Sequence, residues 1–293
     1  MRFDWSKMGR TPPTALVAAR NLAHNVFQWP AKAARANLQE TPDDSQSSFD
    51  WDHGLGALVS QPLPAKTGEW RVGLRLAVLE LLIVRSSAAS ESFPLQGKTD
   101  AATGVWLDSK LQALGLKTAR GVKLPYAMPD YPGAGSAPLE LGMLGRELGE
   151  LSRWFAGPAE ALEEFRAKLA GLHPGAEPVR CWPHHFDIAT LVRLEQGESA
   201  RSVGVGVSPG DEYYAQPYVY VSPGRALTAA ACPICRPLAA GTPTVFSARS
   251  PPERTFWRSR SAGRGCSRSS AGHSRSPARA CENRGGIRDG RHY

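Results

Sequence analysis

The chain has 293 residues, 42% of them hydrophobic, enough for one large domain or two modest ones. Its formal charge of +8 is confined to one end. Residues 224–293 hold 13 of the 35 basic residues, all Arg, and 3 of the 27 acidic ones, leaving 22 basic against 24 acidic residues before them. Nucleic acid is therefore not an expected partner of the slightly acidic body. The most apolar stretch, residues 74–84, carries Arg75 and Glu80 and is far shorter than the ~20 residues of a bilayer span. Residues 1–7 lack the apolar core of a secretion signal. Only Cys181 of the five cysteines lies before residue 224, as suits a reducing compartment, and a cytoplasmic protein with no membrane partner is expected.

In chain order, Leu16, Val17, Leu22, Val26 and Phe27 recur at helical spacing and predict a helix over 14–39. Pro30 is expected to end or kink it, with 31–38 resuming in a new direction. Thr41 to Ser48 is turn chemistry. Arg71, Gly73 and Arg75 alternate with Val72, Leu74 and Leu76 as in a half-buried strand, and 79–84 is apolar on both faces. A helix is predicted over 100–114, closed by Gly115. A proline-pinned connection at 124–132 follows, then two helices, 138–155 and 158–172, parted at Gly157 and Pro158. Residues 179–194, 202–207 and 213–221 read as strands separated by turns at Gly197 and at Ser208-Pro209-Gly210-Asp211. The expected fold is therefore an α+β domain over 12–223, with N-terminal and central helices and a mostly antiparallel sheet.

Residues 224–293 contain only 7 Leu, Ile, Val or Phe and predict a disordered tail. Thirteen Arg without one Lys, set among Ala, Ser, Gly and Pro, is also what GC-rich codons give in a wrong frame. If one T is lost before the codon of Gly224, a single shift allows Trp-Pro-Arg-Pro-Asp-Arg-Arg-Arg-Leu-Pro-Asp-Leu-Pro-Pro from there. The segment ending near Ser250 can then read Trp-His-Thr-Asp-Gly-Phe-Leu-Gly-Ala-Val. On this reading Cys232-Pro233-Ile234-Cys235, although spaced like a redox pair or half a zinc site, is accidental. The Arg/Ser run at 258–268 would bind nucleic acid only non-specifically.

The densest constellation of reactive side chains is Arg180-Cys181-Trp182-Pro183-His184-His185-Phe186-Asp187. Read as a strand, it puts His185 and Asp187 on one face and His184 and Phe186 on the other. Asp187 can then orient His185 as a general base. Alternatively His184, His185 and Asp187 can supply ligands to a divalent metal, with Asp211 or Glu212 completing the set and Tyr213 and Tyr214 lining a pocket. The competing reading is that the His–Asp pair merely satisfies buried polar groups and His184 is a core histidine. His24 reads as a packing or surface residue. Asp43-Asp44-Ser45 is a second carboxylate pair, read as a loop-stabilising turn rather than a metal site. Gly204-Val205-Gly206 lies inside a strand pattern and signals close backbone packing, not a phosphate loop.

Pro42-Asp43-Asp44-Ser45, Phe93-Pro94-Leu95-Gln96-Gly97-Lys98-Thr99, Leu124-Pro125-Tyr126, Trp182-Pro183-His184-His185-Phe186-Asp187 and Tyr218-Val219-Tyr220-Val221-Ser222-Pro223 occur in this order. The series resembles the uncharacterised bacterial proteins catalogued as domain of unknown function 5996, over about residues 15–223. Such proteins continue with Trp-Pro and a later Trp-His…Gly-Phe…Gly-Ala-Val stretch, which the shifted frame restores. Gln46 stands where the resemblance leads one to expect His. The family implies no activity. The residues by themselves point to a small-molecule enzyme, with or without a divalent metal, using His185, Asp187 and Asp211. The alternative is a non-catalytic ligand-binding or structural domain.

Overall fold

The computed structural model describes residues 3–86, 88–128, 137–197 and 201–223, and the backbone of 244–246. These all belong to one unit, and residues 262–293, a second unit, lie outside the described residues. The elements in chain order are α1 (Leu16–Asn37), β1 (Phe49–Asp52), β2 (Ala57–Ser60), β3 (Leu63–Ala65), β4 (Gly68–Arg75), β5 (Glu80–Arg85), β6 (Ala88–Pro94), α2 (Asp100–Ala113), α3 (Gly145–Lys168), β7 (Gly175–Ala176), β8 (Arg180–Trp182), β9 (Asp187–Arg193), β10 (Ser202–Ser208), β11 (Tyr218–Pro223) and β12 (Thr244–Phe246), with short 3-10 turns between some of them. The strands form one antiparallel sheet in the order β12-β11-β10-β9-β8-β1-β2-β4-β5-β6, with β3 on β4 and β7 on β9. The fold is α+β.

The alternation in the sequence explains how the layers form. On α1, Leu16, Ala19, Ala23, Phe27, Ala31 and Ala34 are buried at helical spacing; on α3, Leu148, Leu151, Phe155, Ala159 and Leu162 are. Both stripes share a core with Phe49, Leu58, Leu74, Leu81, Cys181 and Ile188 of the sheet, so the two helices cover the same face. A second cluster joins α2, through Leu107 and Leu111, to Trp29, Val72 and Ile83. Val59, Leu82 and Val84 are buried on the other face of the sheet.

Two predicted breaks are absent. Pro30 lies inside a continuous α1, and Pro158 inside a continuous α3 that replaces the expected pair of helices. Each proline removes one intrahelical hydrogen bond, but buried residues on both sides, Phe27 with Ala31 and Phe155 with Ala159, fix both halves against one core. Helix α2 begins and ends as predicted. Thr99 Oγ1 accepts the Ala102 amide at 3.1 Å, and Gly115 takes a φ of +72° just beyond the helix. The strand predicted over 70–84 is a β4–β5 hairpin, turned at 76–78. The disordered tail, the Cys232–Cys235 pair and the 258–268 run lie outside the described residues, apart from Thr244–Phe246, whose backbone pairs with β11. No helix among the described residues is long and apolar enough to cross a membrane.

Two helix glycines separate propensity from packing. A Cβ at Gly104 would lie 2.9 Å from Trp29 Cζ2, and that indole is held by a 2.7 Å bond from its Nε1 to Asp100. A Cβ at Gly149 meets nothing within 4 Å. Gly149→Ala is therefore expected to stabilise the protein by up to ~1 kcal/mol. Gly104→Ala should destabilise it by about 1–2 kcal/mol, because overpacking outweighs the same helical gain. Urea denaturation of the two variants checks both signs.

Candidate functional site

The Trp182–Asp187 stretch is not a continuous strand. Trp182 and Asp187 form the last pair of the β8–β9 hairpin, and Pro183 to Phe186 make the turn, closed by Phe186 N donating to Trp182 O at 2.7 Å. Phe186 adopts a left-handed φ of +53°, costly for a bulky residue. Its ring is 1% exposed and occupies an aromatic well: His24 stacks on it at 5.0 Å, Phe155 lies at 5.0 Å and Phe27 at 5.5 Å. The turn is also held from α1. His24 Nε2 lies 2.8 Å from Pro183 O, and Gln28 Nε2 donates to the same oxygen at 3.0 Å. The strand-face argument for His185 and Asp187 is thus corrected. His185 is exposed on the turn, whereas Asp187 is 5% exposed at the start of β9.

Asp187 has one evident partner. Tyr220 Oη donates to its Oδ2, while Oδ1 is buried without a hydrogen-bond partner. Tyr220 lies two strands away on β11 and reaches Asp187 across β10. Gly206 makes this passage: a Cβ there would lie 2.5 Å from Tyr220 Cζ and 2.7 Å from Ala189 Cβ. The close-packing reading of Gly204-Val205-Gly206 is therefore supported. Burial raises the Asp187 pKa, against the hydrogen bond from Tyr220 and the nearby His185, which lower it. Burial and the Asp187 carboxylate together push the Tyr220 phenol well above its ordinary value.

A cavity of about 740 Å³ opens beside this pair, lined by Trp182, His184, His185, Asp187 and Tyr220 on one side and by Thr41, Asp43, Ser45 and Gln46 on another. Two segments some 140 residues apart, singled out separately in the sequence, thus meet. The 41–47 loop is tied internally. Arg35 pairs with Asp44, Ser47 Oγ donates to Asp44 Oδ2 at 2.9 Å, and Gln46 Nε2 donates to Asp44 Oδ1 at 2.8 Å. Ser45 N donates to Asp43 Oδ1 at 3.2 Å. Asp44 is thus a loop-stabilising residue, as read, while Asp43 lines the cavity. Gln46 also accepts from the Thr41 amide at 3.1 Å, so its amide supports the loop from both ends.

Three expected site residues fall elsewhere. Asp211 does not line the cavity. It caps its own turn, accepting from the amides of Tyr213 at 2.9 Å and Tyr214 at 2.7 Å and from the Tyr218 hydroxyl. Tyr213 is 80% and Tyr214 41% exposed, and neither lines this cavity. The metal set of His184, His185 and Asp187 is not assembled either. Among the described residues no group of three His, Cys, Asp or Glu side chains can hold a metal ion. Asp187 is turned into the sheet toward Tyr220. His184 lies half-buried, 5.6 Å from the Tyr126 ring and 6.1 Å from the Trp182 ring.

Sequence reasoning missed Tyr220, Gln28, Tyr126 and Gln61. Tyr126 Oη donates to Gln28 Oε1 at 2.8 Å, and its own pKa is pushed up to about 12 by burial. Gln61 lines the cavity and its Nε2 is buried without a partner. Only Tyr220 carried a signal, the Gly204–Gly206 pair opposite Tyr-Val-Tyr. Comparison of the chain with protein-family models, with curated proteins and with solved structures gives no match.

Burial holds the pKa of His24 down to about 4, against the bond to Pro183 O, which raises it. A histidine depressed in the folded state contributes stability that is complete above the unfolded value of ~6.5 and is lost as pH falls toward 4. For His24 the loss should be roughly 3 kcal/mol between pH 7 and pH 4. Comparing urea midpoints of the wild type and His24→Gln over this range should show a shallower pH slope in the variant.

Proposed function

We propose that the cavity at the β8–β9 turn is the active site of a small-molecule enzyme in which Asp187 is the general acid–base. Tyr220 is its hydrogen-bonding partner, and His185, exposed at the turn, is the group that exchanges protons with solvent. One observation carries this reading: a carboxylate 95% buried, beside a cavity, keeps one oxygen without a partner. A carboxylate serving only the fold is normally satisfied at both oxygens. Burial raises the Asp187 pKa, the direction a carboxylate needs if it is to donate as well as accept a proton. Asp211 takes no part in the step, and no metal is invoked.

The competing structural role is favoured by one feature, the Tyr220–Asp187 bond through the Gly206 gap. The two readings differ in sign. Because the folded pKa of Asp187 is raised, its ionised form opposes folding as pH rises from the unfolded value of ~3.9 through the folded one. In the catalytic reading Asp187→Asn keeps a hydrogen-bonding group for Tyr220, removes the buried charge and gains about 1 kcal/mol of stability at pH 8. In the structural reading the same change loses 2 kcal/mol or more. Urea denaturation at pH 8 decides between them, and a loss of that size overturns the catalytic reading.

We also infer that the body belongs to the uncharacterised bacterial family it resembles, and that translation leaves its frame near Pro223. The Arg-without-Lys composition and the restored Trp-Pro and Trp-His segments support this. The nucleotide sequence around codons 222–226 is expected to show a missing base, and an unbroken frame overturns the inference.

A further inference from the structure

We infer that residues 3–9 form a strap that splints α3 across Pro158 and, through Phe155, holds the Phe186 turn. Phe3 is thereby a remote positioning residue for Asp187. The coupling stands whichever role Asp187 plays; its consequence for chemistry rests on the reading of the cavity as an active site.

Pro158 is a weak point inside α3. It has no amide to donate to Trp154 O, and its ring crowds that carbonyl, so local chemistry favours a kink. Contacts on both sides of the proline keep the helix continuous. Toward the core, Phe155 and Ala159 supply them. Gly157, about 200° around the helix from Phe155, faces the strap. Gly9 N donates to Glu150 Oε1 before this point, and Phe3 N donates to Glu160 Oε2 at 2.7 Å after it. Between the two anchors the Phe3 ring lies on Gly157 itself, where a Cβ would come within 2.6 Å of Phe3 Cε1. From Glu150 to Glu160 is about 15 Å of helix, and one short segment holds both ends of it. Glu150 is fully buried and also accepts from Arg153 Nη1 at 3.0 Å, which fixes its end of the strap. The Trp5 ring meets Phe3 edge-on at 5.0 Å, and Met8 packs against the core shared by α1 and α3.

The path from the strap to the site is short. Phe155 lies in the turn of α3 just before Pro158, with its ring 5.0 Å from that of Phe186. Phe186 keeps its left-handed φ because the aromatic well over-determines it, and Asp187 is the next residue. A kink at Pro158 would shift the half of α3 that carries Phe155 and so displace one wall of the well. Straight and kinked α3 are the two arrangements whose balance the strap biases. The middle of the strap, residues 4–7, is exposed, so it belongs to the part of the fold that opens most readily. Whatever draws residues 3–9 off α3 loosens the turn that carries Asp187.

Amide hydrogen exchange on the full-length chain tests the coupling. The Phe186 amide, bonded to Trp182 O, reports the turn. The Ala119 amide, bonded to Asp108 Oδ1 at 2.7 Å in the second core cluster, reports the protein away from the strap. Phe3→Ala should speed exchange about tenfold at Phe186 and less than about twofold at Ala119. Gly157→Ala, whose methyl expels the ring while favouring helix, should reproduce this selective change and add nothing to Phe3→Ala. An unchanged Phe186 amide in Phe3→Ala overturns the inference, as does equal acceleration at both amides, the mark of a general loss of stability. So does a Gly157→Ala that leaves Phe186 unchanged, or that acts as strongly without the Phe3 ring as with it. None of these results bears on the acid–base role of Asp187, which the stability of Asp187→Asn decides.

Discussion

The insertion of Phe186 between His24, Phe27 and Phe155 is the contact on which the rest of the site depends. A phenylalanine at a left-handed φ costs of order 1–3 kcal/mol, and the conformation persists only where surrounding structure over-determines it. Burying the ring is worth ~1.5–3 kcal/mol, and the aromatic pairs add about 0.5–1.5 kcal/mol each. The core therefore outweighs the local strain and fixes the turn. Because that turn is tight, consecutive residues are sent to different places: His185 outward to solvent, Phe186 into the core and Asp187 into the sheet beside the cavity.

That arrangement determines the electrostatics. Asp187 enters β9 where neighbouring strands exclude water, so burial is the largest cause of its raised pKa, with the Asp211 carboxylate adding to it. Among the described residues, the side chain bonded to its Oδ2 comes from two strands away, through a position where any residue larger than glycine would collide with the phenol. Gly206 thus acts at a distance from itself. It has no functional group, yet without it Tyr220 could not lie across β10.

The legible parts of the sequence were those decided locally. Thr99 and Gly115 bounded α2 because capping and left-handed geometry are properties of a few adjacent residues, and Val72 and Leu74 marked β4 through simple alternation. The 41–48 turn was legible for the same reason, since Asp and Ser bond to nearby backbone. What was not legible was decided by tertiary contacts. Pro30 and Pro158 carry a break signal that packing overrides. Short strands such as β1 and β2 have too few residues for a period to show. His185 and Asp187 both line the cavity, but the strand reading gave them a common face that the Phe186 turn abolishes. Asp211 shares its chemistry with Asp187. Only its surroundings, two amides of its own turn and the Tyr218 hydroxyl of β11, show why it stays out of the cavity. Gln61 gave no signal at all, because only the fold brings it beside the cavity.

Helix α1 connects these observations. Near its middle, His24 and Gln28 hold Pro183 at the start of the turn; about 10 Å further along, at 1.5 Å per residue, Arg35 holds Asp44 of the opposite loop. Tyr126 bridges the two points, with its hydroxyl on Gln28 and its ring 5.8 Å from the Arg35 guanidinium. Both walls of the cavity are therefore anchored to one rod, with Pro30 between the anchors. A helix that changed direction at Pro30, as proline alone would dictate, would carry Arg35 and the Asp43 loop away from the turn that holds Asp187. The buried alanines on either side of Pro30, Ala23 before it and Ala31 and Ala34 after it, let α1 lie close to α3 and the sheet along its length. Core packing remote from any reactive group thereby sets the width of the cavity.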